Sequence, residues 1–116
     1  SRGLGDVYKR QEKCFGPGVA QLLRHVQEFH SLRSAAKAMN MAYSKAWRII
    51  RTAETVFGCK LLSSTIGGAH GGGAVLTPEA ERLLAAYEAY CADVGTYAQG
   101  KFEDAFRFYR DLDHRP

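Results

Sequence analysis

A cluster of cationic and hydrogen-bonding side chains lies in the stretch YSKAWRIIR, residues 43–51. Arg side chains pair with guanine or phosphate, Lys with phosphate, and Ser and Tyr hydroxyls donate to either. If Ala46 and Ile50 face a core, helical spacing turns most of these polar side chains to the opposite side. The chemistry predicted from this pattern is the noncovalent recognition of a polyanion. The candidate residues are Tyr43, Ser44, Lys45, Trp47, Arg48 and Arg51.

The distribution of charge along the chain agrees with that prediction. The 116 residues carry a net charge of +4. Residues 14–77 hold seven basic and two acidic residues, whereas residues 78–116 hold five basic and eight acidic ones. A basic segment before an acidic one is expected if the first contacts a polyanion and the second has another role.

Length and composition exclude several classes of protein. The chain allows one domain with a short tail. It has no apolar run of about 18 residues that would span a membrane. It also has no export leader, so we expect a cytoplasmic location. Cys14, Cys59 and Cys91 are odd in number and far apart, which favours free thiols over a zinc site. No catalytic pairing or metal cluster lies on a shared element, so we expect no enzyme activity, no metal and no cofactor.

Three helices are predicted before the first glycine-rich segment. The first spans about 17–30, with Pro17 in its first turn. A short second helix, which Ser31 can cap, has apolar residues at i, i+3, i+4 and i+7 from Leu32 to Met39. Asn40 tolerates the left-handed backbone of a tight turn, and a third helix then runs over about 43–57. This order and the short turn predict a helix-turn-helix.

A β-hairpin is predicted directly after these helices. Residues 61–65 and 74–76 have the character of strands, and the intervening loop, 66–73, is rich in glycine. A hairpin at this place is a wing. We expect Thr65 and His70 to approach the DNA backbone or minor groove.

A long helix is predicted from Thr77 onward, with Thr as its cap and Pro78 in its first turn. Gly95 and Gly100 predict a kink or break near 95–101, and residues 113–116 are expected to fray. A heptad-like apolar seam along this helix favours pairing of two copies over residues 78–112, although packing onto its own domain is an alternative. The seam consists of Leu83, Tyr87, Tyr90, Val94 and Tyr97.

Residues 1–13, SRGLGDVYKRQEK, show neither helical nor strand periodicity. They resemble a read-through or cloning scar, so we predict a disordered leader outside the fold. A natural flexible basic arm is the alternative.

Two further groups of residues have predicted roles near the third helix. Arg33, Ser34 and Lys37 lie on the second helix, where they can fix the register on a nucleic-acid backbone. Trp47 is expected to pack against the wing or the first helix, and contact with DNA is the second interpretation.

The segment from Gly16 to Leu84 resembles the N-terminal DNA-binding domain of the ModE family of molybdate-responsive regulators. It carries SxxxAAKAMxMxYxxAW, GxKLL and GGxxGGGAxLT patterns over about 70 of the 116 residues. The resemblance implies a LysR-like winged helix-turn-helix with residues 43–51 on its recognition helix. Ala42 replaces the Ser cap usual in such helices, so the cap is lost or moves to Ser44.

The same resemblance sets an expectation about ligands. Full-length members of that family carry C-terminal molybdate-binding domains, and this chain ends before they would begin. We therefore expect a stand-alone form, with no molybdate binding in this chain.

The predicted fold is mainly α with a small β-hairpin: a winged helix-turn-helix over residues 14–77 followed by a long C-terminal dimerisation helix. The predicted function is that of a homodimeric regulator that binds double-stranded DNA sequence-specifically. The alternative is a winged-helix protein-interaction module with weak, non-specific affinity for DNA.

Overall fold

The structure is a computed structural model, and it describes residues 4–65 and 72–112. These residues form five helices, one two-stranded antiparallel sheet and, as the last element described, a short 3-10 helix, Arg107–Asp111. The helices are α1 (Leu4–Cys14), α2 (Pro17–Phe29), α3 (Leu32–Ala38), α4 (Tyr43–Phe57) and α5 (Pro78–Ala105). The strands are β1 (Leu62–Thr65) and β2 (Gly73–Leu76).

The core is formed where α2, α3 and α4 meet. Leu22, Leu23 and Val26 on α2 and Ile50 on α4 are fully buried. Four alanines of α3 and α4 are buried in the same core, where small side chains allow short interhelical distances. These alanines are Ala35, Ala36, Ala46 and Ala53.

The turn between α3 and α4 has the predicted left-handed residue. Asn40 adopts a φ of 52°. The backbone N–H of Met41 donates to the carbonyl of Ala36 at 2.9 Å, which closes the turn. The side chain of Ser31 caps α3, since its hydroxyl accepts from the backbone N–H of Ser34 at 3.1 Å. The helix-turn-helix prediction is thereby confirmed.

The hairpin is anchored to the helices at its base. Leu62 pairs with Leu76 at that end and Thr65 pairs with Gly73 toward the tip. The N–H of Ala74 donates to the carbonyl of His30 at 2.9 Å, which fixes β2 against the end of α2. The predicted wing is therefore present, while its tip at 66–71, including His70, lies outside the described residues.

Helix α5 continues further than the sequence suggested. It begins at the predicted cap, where the hydroxyl of Thr77 accepts from the N–H of Ala80 at 3.1 Å. It then continues through Gly95 and Gly100 to Ala105, so the break predicted near 95–101 is wrong. A glycine lowers helix propensity by about 1 kcal/mol but keeps its N–H, and flanking helix formers offset that cost.

The boundary predicted between residues 77 and 78 falls inside one packed unit. Ala80 and Leu84 on α5 are buried in the same core as α2 and α4. An ion pair adds to this connection, since Arg24 on α2 donates from Nε to a carboxylate oxygen of Glu88 at 2.7 Å. The first three turns of α5 thus belong to the winged domain. The predicted fraying of residues 113–116 lies outside the described residues.

The prediction of a disordered leader also differs from the structure, which has helix α1 over Leu4–Cys14. The C-terminal end of α1 borders a groove beside Ile49 and Val56 of α4, where Cys14 is partly buried. The ring of Phe15 then packs edge-on against Phe57, with centroids 5.8 Å apart. Tertiary packing against α4, which residue periodicity does not show, accounts for this helix.

Candidate nucleic-acid interface

Helix α4 presents its polar side to solvent, as predicted. Ala46, Ile50 and Ala53 face the core, because they recur at helical spacing on one side. The side chain of Tyr43 is half-buried at the start of the helix. The exposed residues that the sequence singled out are Ser44, Lys45, Trp47, Arg48 and Arg51.

The surface formed by the exposed sides of α3 and α4, called here the basic face, has almost no compensating negative charge. Glu54 is the one acidic residue among residues 31–57. Its carboxylate accepts from the backbone N–H of Leu61 at 2.9 Å, so it is directed to the base of the wing. Within residues 4–65 and 72–112, no ion pair involves a cation of this face. The cations are Arg33, Lys37, Lys45, Arg48 and Arg51.

Helix α4 begins without a side-chain cap. Ala42 occupies the N-cap position with an extended backbone, and no side chain accepts from the first turn. Of the two alternatives raised by the sequence, the cap is therefore lost and does not move to Ser44. The positive end of the helix dipole and its unpaired N–H groups add to the favourable potential for phosphate.

Two arginines and two aromatic rings form a continuous stack along the edge of the basic face. The guanidinium carbon of Arg33 lies 4.1 Å from the ring centroid of Tyr43, across the helix-turn-helix turn. The rings of Tyr43 and Trp47 meet edge-on with centroids 6.3 Å apart. The guanidinium carbon of Arg51 lies 5.5 Å from the ring centroid of Trp47. We call this set the Arg–aromatic ladder.

Trp47 lies at the surface of α4. Its side chain is 37% exposed and is not among the buried core residues. Its neighbours in the stack are one helical turn before and after it on α4, because positions i−4 and i+4 share a face. Its packing against the wing or the first helix stays a prediction.

The predicted contacts on α3 and the wing flank this face. Arg33, Ser34 and Lys37 are exposed on α3. Thr65 is exposed at the end of β1, opposite Gly73. A Cβ at Gly73 would clash with the Thr65 hydroxyl, so any larger residue at this position would force the Thr65 side chain to shift. His70 lies outside the described residues.

The exposed side of α4 also contains residues that the prediction omitted. Thr52 and Thr55 are exposed four and seven positions after Arg48, a spacing that places all three on one side. The hydroxyl of Thr55 donates to the carbonyl of Arg51 at 3.0 Å, so it is already occupied within the helix. Helical spacing alone would have identified both threonines.

The predicted seam on α5 divides into two parts. Leu83 and Tyr87 are partly buried against their own domain, and the Tyr87 ring lies 5.4 Å from Phe15. Tyr90, Val94 and Tyr97 are 54%, 48% and 68% exposed. Apolar side chains then continue to the end of the described chain. They include Phe102, Phe106, Phe108 and Leu112.

The thiols and carboxylates show no arrangement suited to metal binding. All three cysteines are free, and Cys91 is exposed on α5. Burial raises the pKa of Cys14, and burial with nearby Glu79 and Glu54 raises the pKa of Cys59. No cluster of three or more His, Cys, Asp or Glu side chains that could hold a metal occurs in the part of the chain described. Nor does that part contain a helix both long and apolar enough to cross a bilayer.

A helix-turn-helix with an exposed basic second helix and a hairpin wing defines the winged helix-turn-helix class of DNA-binding domains. Comparison with known families agrees with this class. The model of the bacterial regulatory helix-turn-helix proteins of the LysR family matches residues 19–81. The chain therefore belongs to that family, which consists of transcription regulators and not enzymes.

Relatives with ModE-type names share this region. The chain is 33% identical over 90 residues to the molybdenum-pterin-binding protein MopB of Rhodobacter capsulatus, and the aligned region is 78% of this chain and 33% of that protein. It is 36% identical over 81 residues to the transcriptional regulator ModE of Haemophilus influenzae, where the aligned region is 69% of this chain and 32% of the relative. It is 35% identical over 81 residues to the DNA-binding transcriptional dual regulator ModE of Escherichia coli, where the corresponding shares are 69% and 31%. The predicted resemblance is confirmed, and the chain spans about a third of the length of these relatives.

Proposed function

We propose that this chain is a sequence-specific, homodimeric transcription regulator that binds double-stranded DNA. The observation that carries the proposal is the basic face, whose five cations have no acidic partner in the described structure. Unpaired cations on an exposed helix favour the phosphate backbone, because binding releases counterions from the DNA. Helix α4 enters the major groove and the wing contacts the neighbouring backbone.

Arg48 is the proposed base reader. It lies opposite Ile50 and Ala53 on α4, at the rim of the groove beside the end of α1, and no ring or carboxylate partner is described for it. An arginine in this position is free to form a bidentate pair with a guanine edge. Ser44 lies one turn earlier on the same side and can donate a hydrogen bond to a base or phosphate.

The exposed apolar part of α5 is proposed to pair with the same part of a second copy. Two winged domains joined this way would present two α4 helices to successive major grooves, whose half-sites lie about 34–36 Å apart. The acidic balance of residues 78–116 suits a segment directed away from DNA.

Selection from a pool of random double-stranded DNA with the purified 116-residue protein tests this function. We expect a palindromic consensus, since a two-fold dimer reads two equal half-sites. Arg48→Ala should lose preference at one base pair in each half-site and bind the consensus about 5- to 150-fold more weakly. Arg82→Ala removes an exposed arginine that lies on α5 and outside the basic face, so it is the matched control and should bind like the wild type.

Two outcomes would contradict the proposal. Strongly salt-dependent binding with no sequence preference would favour the alternative, a protein-interaction module with non-specific affinity for DNA. Equal consensus binding by Arg48→Ala and the wild type would exclude Arg48 as a reader. Addition of molybdate should leave the affinity unchanged, in keeping with the expectation that this chain does not bind the oxyanion.

A further inference from the structure

The Arg–aromatic ladder assigns different tasks to the arginines of the basic face. We propose that Tyr43 and Trp47 are positioning residues that hold the guanidinium groups of Arg33 and Arg51 as two phosphate clamps. In this arrangement Trp47 acts through Arg51 and does not itself read bases. The inference rests on the proposed DNA-binding function and states which residues of that site contact phosphate and which position them.

The ladder starts from a rigid point. Tyr43 is partly buried and packs against the hydrophobic core, which restricts its ring. The same ring contacts the guanidinium of Arg33 at 4.1 Å and the edge of Trp47. Trp47 in turn contacts Arg51, so the ladder connects both arginines to a ring that the core holds.

Stacking changes what an exposed arginine contributes to binding. A free arginine has many rotamers, which must be given up when it contacts a phosphate. A guanidinium over an aromatic face keeps its charge and its outward N–H donors but samples fewer orientations. Stacking thus restricts Arg33 and Arg51 already in the free protein, so less rotamer entropy is lost when they contact a phosphate.

The spacing of the ladder suits contacts at two separate points of a DNA backbone. Contacts of 4.1, 6.3 and 5.5 Å lead from the guanidinium of Arg33 through the two rings to the guanidinium of Arg51, so one guanidinium lies at each end of the ladder. Two cations held at separate points can contact two phosphates and fix the register of the helix on the DNA. Arg48, which has no described ring partner, is left to pair with a base edge.

The ladder can be tested without DNA, because Trp47 is the one tryptophan in the sequence. Arg51→Ala should shift the fluorescence emission of Trp47 and raise its quenching by acrylamide, since the guanidinium no longer covers the ring. Arg48→Ala is the matched control. It removes the exposed arginine that directly follows Trp47 in the sequence, and it should leave both signals unchanged. Identical quenching in wild type and Arg51→Ala would overturn the ladder whether or not the protein binds DNA.

The division of roles is tested with the selected consensus DNA. Trp47→Leu should weaken binding about two- to fivefold, the effect of losing one exposed cation–π contact. The dependence of affinity on salt and the base preference should both stay as in the wild type, because all charges remain. Trp47→Phe should recover most of the affinity. Arg51→Ala, by contrast, should reduce the slope of log affinity against log salt by about 1.

The double variant Trp47→Leu with Arg51→Ala separates an indirect role of Trp47 from a direct one. If Trp47 acts through Arg51, the double variant binds no more weakly than Arg51→Ala alone. A further loss in the double variant, or an altered base preference in Trp47→Leu, would show that Trp47 contacts DNA directly and would overturn the assignment. Circular dichroism of each variant confirms folding, which is expected because Trp47 lies outside the core. Absence of consensus binding by the wild type would instead reject the proposed function itself.

Discussion

At the scale of residues, the pairing of a few side chains sets where the positive charge is available. Arg24 is basic but is engaged by Glu88 through two guanidinium nitrogens, on the surface between α2 and α5. Glu54 sits within the basic stretch but its carboxylate is held by the N–H of Leu61. A count of charges along the chain therefore does not show which cations have an acidic partner, and the side-chain contacts do.

The Arg24–Glu88 pair leads to a prediction about pH. The hydrogen bond from Arg24 holds the pKa of Glu88 below its ordinary value of 4.5. A carboxylate whose pKa is lowered in the folded state stabilises it above the unfolded pKa, and this contribution is lost as the pH falls through the lowered value. In urea titrations, the free energy of unfolding of Glu88→Gln should fall below that of the wild type above pH 4.5, and the two should converge at lower pH.

Arg24→Gln provides the control for that experiment. In the Arg24→Gln background, Glu88→Gln should have almost no further effect at any pH, because the pair is already broken. A difference between wild type and Glu88→Gln that persists unchanged in acid would show that packing, not ionisation, is responsible.

At the scale of elements, the two helices of the helix-turn-helix begin in different ways. Ser31 caps α3 by accepting from the N–H of Ser34. Ala42 has an extended backbone, with φ −64° and ψ 143°, yet it has no oxygen with which to cap α4. The recognition helix thus begins with backbone donors that remain available, at some cost to its intrinsic stability.

Substitutions at these two N-cap positions should change the free energy of unfolding in opposite directions. Ala42→Ser should raise the free energy of unfolding by about 1 kcal/mol, since its backbone already has the geometry of a capping residue. Ser31→Ala should lower the free energy by about 1 kcal/mol, because the N–H of Ser34 loses its acceptor. Urea unfolding measures both changes, and a destabilised Ala42→Ser protein would show that the turn cannot accept the hydroxyl.

At the scale of the whole molecule, α5 carries an apolar surface away from the winged domain. Its first turns are buried with α2 and α4, whereas Tyr90, Val94 and Tyr97 are exposed. The molecule is consequently elongated, with extents of 66 × 47 × 23 Å. A continuous exposed apolar surface of this kind marks a site of association, for which a second copy is the proposed partner.

Substitution within that surface should separate association from folding. We expect the wild type to sediment as a dimer at micromolar concentration. Val94→Asp should sediment as a folded monomer, because Val94 is 48% exposed and lies outside the core cluster of the described residues, while a buried unpaired charge disfavours pairing. Thr96→Asp, on the opposite side of α5, should remain dimeric. A monomeric wild type, or equal behaviour of the two variants, would contradict the pairing surface.

Much of the fold could be predicted because local signals coincide with it. Ser31, Asn40, Gly58 and Thr77 each mark a helix end where the structure has one. The exposure of Arg48 and Arg51 follows from helical spacing alone. The continuation of α5 through Gly95 could not be predicted in this way. One glycine disfavours the helix locally, but whether the helix continues depends on the summed propensity of all its residues.

The sequence by itself determined helices α2 to α5, the turn between α3 and α4, the hairpin and the residues of the basic face. Those features depend on capping, periodicity and local charge, all of which are properties of neighbouring residues. Only the tertiary structure decided that α1 packs on α4, that Leu83 and Tyr87 serve their own core, and that Arg33 stacks on Tyr43. Each of these depends on which surfaces meet when helices cross, because contacts between residues distant along the chain follow from packing and not from periodicity.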